Sequence, residues 1–167
     1  MERVYNLNFK FILSIFENYF SPKLNNMDAS FLNGINWAAV FVAALAYFML
    51  GAIWYSKALF VNKWIALSKI DNTDPNAKKG MAMLMAMSFV WMFISCVGLA
   101  VLQQFMYLHN GWISGLKLGL LTGICFGAAA LSITYLYEKK PSGLYLINGG
   151  YILAGNIIAA IIICSWK

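Results

Sequence analysis

The chain has 167 residues, 62% of them hydrophobic and only 11% charged, with a mean hydropathy of +0.69. Soluble domains carry roughly 25% charged residues, and at this size roughly 30% of the unfolded chain's area stays in water, so lipid is the solvent that fits. The net charge of +6 is no nucleic-acid footprint, because seven of the twelve basic residues lie in two connections, Lys57–Lys79 and Lys139–Lys140, flanking apolar runs.

The pattern predicts an all-α, polytopic membrane protein: a four-transmembrane-helix bundle with spans at about 36–55, 81–106, 112–137 and 144–166. Residues 27–167 make up this membrane domain, and residues 1–26 stand apart. In that N-terminal segment Asn6, Lys10, Ser14, Glu17 and Asn18 recur at helical spacing, opposite Phe9, Ile12, Leu13, Phe16 and Phe20. This is an amphipathic helix lying in the headgroup plane. No small-residue cleavage site follows it, which disfavours a signal peptide. Translation starting at Met27 accounts for the segment equally well.

The stretch Ile35–Trp64 is the one around which the chain is expected to be organised. Its span carries Ala39 and Ala43, a small-xxx-small pair that lets another helix approach closely. Trp37 at one end and Trp54 and Tyr55 at the other mark the two headgroup levels, about 26 Å apart at 1.5 Å per residue. Beyond them Phe60 and Trp64 anchor a short interfacial helix whose polar positions are Asn62, Lys63 and Lys69, the lysines reaching toward phosphates. Asp74 and Pro75 then supply an N-cap and a first helical residue.

The second span opens with Met81, Met83, Met85 and Met87. Alternate positions on a helix face different ways, so these are lipid-facing or packing side chains and no copper site. Cys96, Cys125 and Cys164 lie inside apolar runs without metal-ligand spacing; Cys96 and Cys125 fall at similar depths on neighbouring spans. The single histidine, His109, sits in a loop with no acid or cysteine cluster near it. No metal, cofactor or catalytic group is expected.

The third span has the most regular pattern. Gly115, Gly119, Gly123 and Gly127 recur every four residues and drift only about 40° per step, so they form one smooth groove for a second helix. Lys117 lies roughly opposite the groove near the helix end, where snorkelling explains it. The functional alternative places Lys117 in an internal pocket that meets an anionic ligand. After the turn Glu138–Gly143, the last span pairs Gly155 with Ala159. It also sets Asn148 and Asn156 eight residues apart on one face. Interhelical hydrogen bonding is the ordinary role of such asparagines, and lining a polar pocket the alternative.

Seven basic residues on one side against five on the other predict both termini outside the cytoplasm.

Asn36-Trp37, Gly51-Ala52-Ile53-Trp54-Tyr55-Ser56, Leu59-Phe60 and Trp64 together resemble the signature of a bacterial membrane family, domain of unknown function 1761. Gly150-Tyr151 and Trp166 resemble its last helix, so the resemblance runs from about Ile35 to Trp166. It implies a multi-pass protein of the bacterial cytoplasmic membrane and assigns no activity. This chain departs from the pattern at Lys57, Val61 and Asn148, where proline, glycine and an acid are expected. The function expected is that of a structural or accessory membrane protein packed through glycine faces, not an enzyme. Its partners would be the bilayer and either a second copy or another membrane protein. The alternative is a carrier or binding protein for a small molecule or lipid, without proton coupling, since no Asp or Glu falls inside a span.

Overall fold

In the computed structural model the described residues are 32–69, 80–108 and 111–166. The N-terminal segment 1–26, the Asp74–Pro75 helix start and His109 lie outside them. Residues Asn36–Lys167 form one unit of the chain. Its regular structure among the described residues is helical throughout: α1 (Trp37–Trp54), α2 (Val61–Ser68), α3 (Met81–Phe105), α4 (Trp112–Tyr137) and α5 (Ser142–Ser165). All except the short α2 are long and apolar enough to cross a membrane, as the apolar runs predict.

The helix ends follow local chemistry. Asn36 is the cap of α1 instead of its first turn: its side-chain oxygen accepts the Ala39 N–H at 3.1 Å. α3 and α4 close alike. At the end of α4, Lys139 takes a left-handed conformation (φ 52°), with Lys140 N–H donating to Tyr135 C=O and Lys139 N–H to Leu136 C=O. Tyr107 (φ 50°) does the same after α3.

α5 begins at Ser142, two residues earlier than the sequence reading put it. Pro141 fixes the entry with φ −66°, so Gly143 is helical and not part of the turn. A Cβ there would fall on the Leu67 side chain, which is how α2 comes to rest on the start of α5.

α5 is the centre of the bundle. It packs against α1, α2, α3 and α4, α1 packs also on α3, and α4 has little contact with either α1 or α3. The stretch Ile35–Trp64 is therefore not the organising element. Small residues explain the arrangement. A Cβ added at Gly115 would land on Ile161 Cα and 2.6 Å from the Ala160 carbonyl oxygen. One at Gly119 would land on Ile157 Cα, and one at Gly123 would sit 3.1 Å from Leu153 Cα. The antiparallel register thus advances four residues for four. At Gly127 the neighbour is the Ile152 side chain, so the rhythm breaks. The break coincides with a π-helical turn, Gly123–Ala128, whose wider winding rotates the helix out of step. On the α1 side a Cβ at Gly155 would overlap the Tyr47 ring, and Ala39, Ala43 and Ala159 are fully buried.

Candidate functional site

Two polar clusters sit on α5, two helical turns apart. The first is at the end of the bundle where α1 stops. Tyr55 donates to Asn148 Oδ1 at 2.7 Å, Asn148 Nδ2 donates to Tyr135 Oη at 2.6 Å, and Trp54 Nε1 donates to the Ile147 carbonyl at 3.0 Å. Rings close around these bonds. Tyr55 meets Trp64 at 5.8 Å and Tyr151 at 5.4 Å between centroids, and Trp54 stacks against Phe60 at 4.9 Å. Trp54, Tyr55, Phe60 and Trp64 are consequently half-buried in an aromatic cluster, while Trp37 at the opposite end stays exposed.

The second cluster lies near the middle of the helices. Tyr47 donates to the Ile152 carbonyl at 3.3 Å. Asn156 Nδ2 donates to that same carbonyl at 2.8 Å and to Tyr47 Oη at 3.5 Å, and Thr122 donates to Asn156 Oδ1 at 3.3 Å. Thr122 also donates to Leu118 C=O at 2.8 Å. Beside this cluster is a cavity of about 540 Å³, lined from every long helix: Tyr47, Ser95, Gly98, Thr122, Gly127 and Asn156 among others. A second cavity of about 640 Å³ lies at the aromatic end, between Phe48, Tyr55, Trp64, Met85, Met92 and Tyr151.

The three residues considered for a pocket therefore part company. Asn156 lines the central cavity, Asn148 bridges two tyrosines, and Lys117 is exposed and lines neither space. Tyr47, Thr122 and Tyr135 were not singled out by the sequence reading. Tyr47, Gly51 and Tyr55 recur every four residues and all face α5, and Thr122 adjoins the groove glycine Gly123; those spacings were the available signal. Of the cysteines, Cys96 and Cys164 are buried and Cys125, in the π turn, is exposed. The methionines Met81, Met83, Met85 and Met87 are exposed.

This architecture defines a class: a four-helix membrane-type bundle with neutral polar groups on its central helix. Residues 38–164 match the family described as "Protein of unknown function (DUF1761)". The chain belongs to that family. No curated protein and no solved structure matches it.

Proposed function

We propose that the chain is an accessory protein of the cell membrane, without enzymatic activity, whose structural core is the hairpin of α4 and α5 zipped through glycines. The observation that carries this reading is the backbone-level approach at Gly115 and Gly119, where any side chain would strike Ile161 or Ile157 Cα. Glycine within a span sacrifices helix propensity, and close packing is the usual compensation. Because α5 fills the groove, the glycine face serves the chain's own fold, and lipid is the partner on the outward faces.

The basic residues Lys57, Lys63, Lys69, Lys139 and Lys140 gather at the end where Tyr55, Tyr135 and Asn148 meet. The positive-inside rule supports reading that end as the cytoplasmic one, with both termini outside, for a chain we assign to the cytoplasmic membrane.

Two measurements test the reading. Replacing Gly119 and Gly123 together with isoleucine removes the protease-resistant, membrane-integrated form; normal accumulation and resistance of that variant overturn the packing role. Lys63→Cys reacts with a membrane-impermeant maleimide only after permeabilisation, and labelling in intact cells overturns the orientation.

A further inference from the structure

We infer that the central cavity beside Tyr47 and Asn156 is a binding site for a long-chain apolar molecule carrying one neutral hydroxyl group. Its walls come from all four long helices, and α4 has little contact with α3, so the space is bounded there by two helices that do not close on each other. In a membrane such a gap opens sideways to lipid chains. The volume of about 540 Å³ falls within the range of roughly 300–1,000 Å³ common to small-molecule sites.

Depth and charge select the ligand. Tyr47 lies about 10 Å along α1 from the level of Trp54 and about 15 Å from that of Trp37, near mid-membrane. No Asp, Glu, Lys, Arg or His lines the space, so a charged headgroup would be uncompensated there. A neutral polar group, in contrast, finds partners. The bonds Tyr47–Ile152, Asn156–Tyr47 and Thr122–Asn156 are 3.3, 3.5 and 3.3 Å long, beyond the usual optimum. The Tyr47 and Asn156 oxygens keep lone-pair capacity, which suits a hydroxyl donor.

Helix packing alone does not account for this cluster. A network serving only to join helices would be closed over by α3, yet a Cβ at Gly98, which lines the cavity, would meet nothing within 4 Å. The π turn Gly123–Ala128 contributes Phe126 and Gly127 to the opposite wall, and such turns recur at functional sites.

The test uses the full chain in phosphatidylcholine nanodiscs, with hexadecanol bearing a mid-chain diazirine as the probe. Photolabel is expected on α3 near Ser95–Leu102 and on α4 near Phe126. Excess hexadecanol should compete it away, and hexadecane should not. A Cβ at Gly98 meets open space, so the side chain of Gly98→Leu is expected to occupy the cavity: labelling should fall by at least about tenfold, with the unfolding temperature unchanged or raised. Asn156→Leu should erase the preference for the alcohol over the alkane. Equal competition by hexadecane overturns the site, because lipid chains would then merely fill a gap. Labelling of Gly98→Leu at the wild-type level overturns its location.

Discussion

Tyr55, just beyond α1, donates to the side-chain oxygen of Asn148 on α5 at 2.7 Å, and the amide nitrogen of the same Asn148 donates to Tyr135 on α4 at 2.6 Å. One side chain thereby joins three segments at the aromatic end. Asn148→Leu strands two part-buried hydroxyls, which costs about 1–3 kcal/mol. The expected result is an unfolding midpoint several degrees below wild type in detergent. Tyr55→Phe removes a single bond and costs about 1 kcal/mol. Combined, the two substitutions should fall short of the sum of their separate effects by at least about 0.5 kcal/mol, because both delete the same bond. Additivity in a double-mutant cycle would show that this bond contributes nothing to stability.

The apolar runs placed the four long helices within about two residues, because lipid demands long apolar stretches with few charges and the described residues hold four. The small residues Gly115, Gly119, Gly123 and Gly155 were also readable as contact positions, since glycine has few other reasons to recur in a span. Periodicity does not say which helix fills a groove, and here it is the neighbouring α5. Nor does it reveal that α5, with fewer landmarks than Ile35–Trp64, touches every other helix. The aromatic residues make contacts that their composition does not announce. Trp54 and Tyr55 have the composition of headgroup anchors, yet their polar atoms bond α5, a preference that depends on which backbone carbonyl and amide arrive opposite them. The central cluster was half visible: Asn156 was noticed, and Tyr47 and Thr122 were hidden by spacings that serve equally for packing.

The glycines divide into two groups with opposite expected responses. Gly115 and Gly119 leave no room for a Cβ against backbone atoms of α5, which cannot shift without moving a helix. Gly115→Ala and Gly119→Ala should each destabilise by about 1–3 kcal/mol or more, as overpacked cores do. Gly98 has open space around its Cβ position, so Gly98→Ala keeps the bundle and gains helix propensity, about 0.5–1 kcal/mol in its favour. Thermal unfolding of the three variants side by side checks the contrast. Equal midpoints for Gly98→Ala and Gly119→Ala would remove the argument that α4 and α5 meet at backbone distance.

Gly155 is an intermediate case because its obstacle is a ring. A Cβ there would overlap Tyr47, whose ring also packs at a tilt against Tyr151, 5.4 Å between centroids. Gly155→Ala should therefore displace Tyr47 from the Ile152 carbonyl and disturb the central cluster. Tyr47→Phe in the same chain should recover little, since the ring and not the hydroxyl clashes, whereas Tyr47→Leu, with a smaller side chain, should recover at least half of the loss. Midpoints of the single and double variants measure this. Recovery by Tyr47→Phe equal to that by Tyr47→Leu would locate the clash in the hydroxyl and contradict the geometry.

Lys139 and Tyr107 occupy the left-handed position that ends α4 and α3, with φ of 52° and 50°. Side chains with a Cβ crowd the following carbonyl there, at a cost of roughly 1–2 kcal/mol that glycine avoids. Lys139→Gly and Tyr107→Gly should each raise stability by about 1 kcal/mol, and Lys139→Ala should bring no such gain, because alanine keeps the Cβ. The two positions lie at opposite ends of the bundle and share no partner, so their effects should add to within about 0.5 kcal/mol. Denaturant titration in a fixed detergent resolves differences of this size. The wild-type lysine also carries one of the basic charges at its end, so the glycine variant should show a firmer fold with unchanged maleimide orientation at Lys63→Cys, the remaining lysines being sufficient. A midpoint that stays level in both glycine variants would show that these turns are not held left-handed.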